Sequence, residues 1–136
     1  MDKLSLFNQQ VLICQDEAYT LAWYLLGDGI EAEKATQAAV AAAFQYFSPQ
    51  KGNCRALILR QVFRLCQRKA PPQETLPIPE ISVTFNDCER QTLVLVEILN
   101  LSYSEAASVL DCPPQEISRL IAQARRKLIQ AGSEHP

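Results

Sequence analysis

The segment 102-SYSEAASVLDCPPQEISRLIAQARRKL-128 holds the residues best suited to chemistry, and that chemistry is hydrogen bonding to nucleic acid. Gln115, Ser118, Arg119 and Gln123 can donate to or accept from base edges. Gln suits adenine and Arg suits guanine, because each offers two polar atoms at the spacing of the base edge. Arg125, Arg126 and Lys127 follow, and three consecutive cations can grip phosphate. They equally complement the negative end of a helix dipole. A second basic run lies upstream. Arg60, Arg64 and Arg68 step by four and share one helical face, and no acidic residue falls between Lys51 and Lys69. Such a stripe suits phosphates, where each neutralised charge releases a counterion. A solvated face, or pairing with an acidic partner or domain, would use the same residues.

Elements of the right kind surround these residues. Ser102 and Glu105 have capping-box spacing, so a helix is expected from Tyr103 to Leu110. Asp111-Cys112 makes a turn, and Pro113 is tolerated at the start of the next helix, which runs to about Ala131. Ile117, Ile121, Ala124 and Leu128 form its inward seam. Gln115, Glu116, Ser118, Arg119, Ala122, Gln123 and Arg126 face out, and Leu120 is expected to be exposed among them. The layout is a helix-turn-helix. Asn86 and Glu89 have cap spacing for a preceding helix that reaches about Leu99.

The N-terminal block has the same helical period. Leu4, Phe7, Val11, Cys14, Ala18, Leu21, Ala22 and Leu25 form a stripe along one long helix or two joined ones. Gly27-Asp28-Gly29 ends it. A second helix spans Glu31 to Phe47, and 38-AAVAAAF-44 marks it as the central, closely packed one. Ser48-Pro49 and Gly52-Asn53 make a loop. A third helix, 54-CRALILRQVFRLCQRK-69, buries Leu57, Ile58, Val62, Leu65 and Cys66. Phe44, Tyr46 and Phe47 are read as core, although aromatics beside a basic loop can also stack on unpaired bases. Trp23 and Tyr24 are read as core or inter-helix contacts.

The expected fold is all-α, with two small helical domains at 1–70 and 87–136 and a Pro-rich linker at 71–86. Four prolines between 71 and 79 stop any helix there. Ile78, Ile81, Val83 and Phe85 are expected to lie against a domain.

Composition bounds the rest. The chain has 136 residues and a net charge of −2. Residues 1–70 carry eight basic and six acidic side chains, and residues 71–136 carry five and nine. The half with the helix-turn-helix is therefore the acidic one. Five cysteines without a CxxC pattern read as reduced core residues of a cytoplasmic protein. No metal or cofactor is expected, because His135 is the single histidine and no ligand spacing or phosphate loop occurs. Nucleophile–base patterns and paired carboxylates are likewise missing, so an enzyme is not expected. No apolar run suits a membrane span.

The run 89-ERQTLVLVEILNLSYSEAASVLDCPPQEISRLIAQARRKL-128 resembles region 4 of sigma-70-type factors, closest to the short extracytoplasmic-function (ECF) group. The shared residues are Leu101-Ser102-Tyr103, Glu105-Ala106-Ala107, Val109-Leu110, Cys112-Pro113 and Ala124 to Leu128. The stretch 20-TLAWYLLGDGIEAEKATQAAVAAAF-44 is similar to region 2, through Gly27-Asp28, Ala32-Glu33 and Gln37. The resemblance implies an ECF-type sigma factor. Region 2 would bind core RNA polymerase through Asp28, Glu33, Lys34 and Gln37. Regions 2 and 4 would recognise promoter DNA through Arg60, Arg64 and Arg68 and through Gln115, Ser118, Arg119, Gln123 and Arg126. An anti-sigma protein is an implied partner. The sequence also departs from the family. Lys34 and Ala38 replace acidic residues, Glu116 stands where Thr is common, and Leu120 aligns with a polar reader. The third helix is about a turn short and lacks a Trp near its start. These departures favour an alternative: a degenerate sigma-like protein that binds a sigma regulator or the polymerase without promoter-specific initiation. A DNA-binding regulator without polymerase contact is a third reading, disfavoured by the acidic balance.

Overall fold

The computed structural model describes residues 2–50, 54–69 and 85–134, without the side chains of 68, 69 and 131–134. The described elements are helices throughout: α1 (Lys3–Leu26), α2 (Gly29–Tyr46), α3 (Cys54–Lys69), α4 (Asp87–Leu93), α5 (Tyr103–Leu110) and α6 (Pro114–Glu134). Two compact units lie within Met1–Pro71 and Pro72–Pro136.

In the first unit α1, α2 and α3 pack against one another pairwise. The N-terminal block forms one long helix, capped by Asp2, which accepts from the Ser5 N–H at 2.7 Å. It ends where Gly27 takes φ 72°, a left-handed cap that costs glycine little. One residue later Asp28 caps α2 by accepting from the Ile30 N–H at 2.8 Å. Ala32, Ala35, Ala39 and Ala43 are fully buried on α2. Their steps of three and four put them on one stripe, and methyl side chains let the neighbouring helices approach closely. Phe7 closes one end of this core, edge-on to Phe44 at 5.1 Å and to Phe47 at 5.2 Å.

Helix α3 is buried over more than half its circumference, through Cys54, Ile58, Leu59, Gln61, Val62, Phe63 and Cys66. That arc is wider than the one-sided face expected from its sequence, because α1 and α2 both cover it. Leu57 and Leu65, expected in the core, are half-buried. Arg55 crosses to α1 and donates to Glu17 at 2.6 and 2.9 Å, a bidentate pair. Two aromatic expectations are corrected. Tyr46 is exposed, at the last residue of α2, although it continues the step of the alanine stripe. Trp23 lies at the surface, edge-on to half-buried Tyr24 at 5.0 Å. Gly52-Asn53 and the linker positions Ile78, Ile81 and Val83 lie outside the described residues, as does His135.

In the second unit α4 begins with a complete capping box. Asn86 Oδ1 accepts from the Glu89 N–H at 2.8 Å, and Glu89 Oε1 accepts from the Asn86 N–H at 2.9 Å. Phe85, just before it, is buried. The helix then widens into a π turn over Val94–Ile98, where the Leu99 N–H reaches back five residues to Val94 O at 2.9 Å. Asn100, at φ 59°, turns the chain towards α5. Helices α4 and α5 both pack on α6.

Two outcomes test this packing. Replacing Ala39 with Leu should overpack the alanine stripe and cost about 1–3 kcal/mol of stability, read by urea denaturation. The thiols should divide sharply. Burial, with the neighbouring Cys14 thiol, pushes Cys54 up to about 11, and Cys14 is raised chiefly by burial too. Both therefore stay protonated at neutral pH. In the native protein a disulfide reagent such as Ellman's should react with exposed Cys88, and with Cys14 and Cys54 only after unfolding.

Candidate nucleic-acid interface

The C-terminal site is built from caps and a tight turn. Ser102 Oγ accepts from the Glu105 N–H at 3.0 Å, and Glu105 accepts from the Ser102 N–H at 3.1 Å, which starts α5. Asp111 ends it in the left-handed conformation, φ 61°, one that Asp tolerates better than most residues. The Cys112 N–H closes the turn onto Ala107 O at 3.0 Å. Pro114 opens α6 at a position whose N–H would have no partner within the helix. A short helix, a turn and a long helix therefore stand in helix-turn-helix order.

Helix α6 buries Ile117, Ile121 and Ala124 as the spacing requires, with Leu128 half-buried. Leu120 is corrected: it is only 5% exposed. At about 100° per residue it lies about 40° round the helix from Ala124. With both α4 and α5 packed on α6, the inward arc is broad enough to take it in. The outward face is therefore more polar than expected. Gln115, Ser118, Arg119, Ala122 and Arg126 are exposed on it, while Gln123 is half-buried.

The charges on and beside this face are mostly engaged within the unit. The Arg119 guanidinium makes a bidentate pair with Glu116, three residues earlier: its Nε donates at 3.0 Å and its Nη2 also donates. That hydrogen bonding holds the Glu116 carboxyl below the usual carboxylate range and raises Arg119. Arg125 reaches Glu97 on the π turn with bonds of 2.5 and 3.0 Å. Lys127 donates to Glu89 at 2.5 Å. Glu89 is 1% exposed, so the ammonium meets a carboxylate sealed from solvent. Beside it Arg90 is 2% exposed, with Asp87 at 3.4 Å. Of the three cations expected on phosphate, two are tied to α4 and its π turn. Among the described residues Arg126 is held in no ion pair.

The sequence reading missed Glu97 and Glu89 as partners. Glu97 lies 28 residues from Arg125 and Glu89 lies 38 from Lys127, so no local spacing signals either. The Glu116–Arg119 pair was detectable from its i, i+3 spacing alone.

In the first unit Glu33, Lys34 and Gln37 are exposed on α2 beside Ala38 and Ala41, a continuous outward face opposite the alanine stripe. Lys34 lies 3.7 Å from Glu31. Asp28, grouped with them from sequence, caps the helix instead of standing on that face. The arginine stripe is uneven. Arg64 is exposed, Arg60 is half-buried because both flanking helices cover α3, and the Arg68 side chain lies outside the described residues. Among the described residues no helix is long and apolar enough to cross a membrane, and no group of three or more His, Cys, Asp or Glu could hold a metal ion.

Residues 89–128 match the family described as Sigma-70, region 4, and the match covers the helix-turn-helix together with α4. The chain also shares its fold with the solved structure of CnrH in complex with the cytosolic domain of CnrY. The TM-score is 0.68 at 17% identity, over 96% of this chain and 89% of that one. No curated protein sequence matches significantly. The chain thus resembles sigma-70 proteins by sequence in region 4, and it resembles CnrH by fold across its length.

The buried pair between α4 and α6 has a measurable consequence. Replacing Lys127 with Ala leaves the Glu89 carboxylate buried beside a missing cation. The loss should be about 1–3 kcal/mol, discounted because Lys127 is itself partly exposed. Replacing Arg126 with Ala should cost below about 0.5 kcal/mol. Urea denaturation followed by circular dichroism compares the two.

Proposed function

We propose that the chain is an ECF-type sigma factor: it binds core RNA polymerase and directs it to promoters. The observation that carries this reading is the region 4 match, which falls on a helix-turn-helix with Gln115, Ser118, Arg119 and Arg126 exposed on its second helix. In this reading the outward face of α2, with Glu33, Lys34 and Gln37, contacts the polymerase. The α3 arginines and α6 contact promoter DNA. The chemistry is recognition without catalysis, and its setting is the cytoplasm.

A second reading is favoured by one specific observation. Three of the α6 cations are held by the unit's own carboxylates. Such a face is less disposed towards DNA and better suited to a protein. The fold it shares with CnrH, a protein solved with a partner domain bound, supports an anti-sigma-type regulator as that partner. A sigma-like chain of this kind would bind the regulator or the polymerase without initiating transcription.

Run-off transcription with core polymerase from the source organism separates the two. A promoter-dependent transcript is expected, and core binding without one favours the second reading. In the same system Arg126→Ala should weaken DNA binding across all sequences and reduce the slope of log affinity against log salt by about one.

A further inference from the structure

We infer that Glu116 is a built-in competitor for Arg119, so that DNA binding by the helix-turn-helix proceeds by exchanging a carboxylate for a DNA acceptor on one guanidinium fork. The inference rests on the proposed DNA reading and deepens it.

The geometry carries it. Arginine recognises guanine by donating two parallel hydrogen bonds to O6 and N7, and it grips phosphate in the same forked way. In Arg119 one of the two forks of the guanidinium is already occupied, with Nε on one Glu116 oxygen and Nη2 on the other. The same two donors cannot serve Glu116 and a base together. Glu116 is well placed to keep them. It lies in the first turn of α6, where the positive end of the helix dipole favours an anion. The hydrogen bond from Arg119 also holds its carboxyl below the usual carboxylate range.

The pair is nevertheless open to exchange. Arg119 is exposed and Glu116 half-buried, so the guanidinium can swing outward without repacking the core. Arg119 shares the exposed face with Gln115 and Ser118, while Glu116 lies about 60° round the helix from it and draws the guanidinium sideways. An exposed pair at this spacing is weak in isolation. Its effect is to raise the threshold for non-specific duplex, where binding rests on phosphate contacts. A site that presents guanine opposite Arg119 recovers the loss.

The test uses the full chain and a fluorescein-labelled random-sequence duplex, read by anisotropy at low salt. Glu116→Gln keeps the shape and removes the charge. It should tighten binding about two- to fivefold. In an Arg119→Ala background the same substitution should give no gain. A gain that persists without Arg119 means that Glu116 merely repels phosphate, and it overturns the competition. Unchanged or weaker binding by Glu116→Gln, from a wild type that does bind, overturns the inference and leaves the DNA reading standing. If neither wild type nor Glu116→Gln binds duplex, the DNA reading itself fails and the inference falls with it.

Discussion

The second unit is organised around one buried carboxylate. Glu89 belongs to the first turn of α4, completes the Asn86 capping box and receives Lys127 from α6 at 2.5 Å. A carboxylate 1% exposed is tolerable only with its acceptor sites filled, so these contacts are a condition of the fold and not an addition to it. Together they fix where α4 begins and which part of α6 lies against it. Between those points Leu93, Val94, Leu95, Ile117, Leu120, Ile121 and Ala124 close a dry interior. The orientation of α6, and therefore the direction in which Gln115, Ser118 and Arg119 project, follows from that clamp. The π turn at Val94–Ile98 carries Glu97 to Arg125 and adds a second tie on another edge of the same helix.

The first unit solves a different packing problem. Its central helix presents alanines inward, so backbone proximity, not side-chain volume, sets the spacing of the three helices. The larger side chains come from α1 and α3, with Phe7, Leu21, Ile58, Leu59 and Phe63 buried. Polar side chains are left to the outer face of α2. That division leaves Glu33, Lys34 and Gln37 out of the core, Lys34 meeting only the surface carboxylate of Glu31, while Asp28 is needed to start the helix. A substitution at Asp28 would thus report on folding as well as on any partner, whereas the three α2 positions report on partners alone.

Legibility in the sequence followed interaction range. Caps act over three residues, and Asn86–Glu89, Ser102–Glu105 and the left-handed Gly27 were all readable locally. Seams recur at three and four, so the inward positions Ile117, Ile121 and Ala124 were readable too. Leu120 was misplaced because the width of a buried arc depends on how many neighbours pack on the helix, and periodicity does not carry that number. Arg60 was misjudged for the same reason: α3 is covered on two sides. The longest-range features, Arg125 with Glu97 and Lys127 with Glu89, join residues that no local pattern relates. They decide how many cations remain for DNA, so the electrostatic state of the candidate site was its least legible property.

That state bears on how such a unit could work. Non-specific affinity for duplex comes from cations free to displace counterions. Here Arg119, Arg125 and Lys127 are engaged within the unit, and the half of the chain that contains it has nine acidic side chains to five basic. On the proposed reading the unit would seldom stay on DNA by itself. Tethered through a first unit that holds the polymerase, it would meet promoter DNA at a raised effective concentration, and a weak contact would then suffice. Weak intrinsic affinity would also discourage binding to unrelated duplex. On that reading the buried clamp and the paired surface cations would act in one direction: a rigid reading helix whose occupancy would depend on what the rest of the chain had bound.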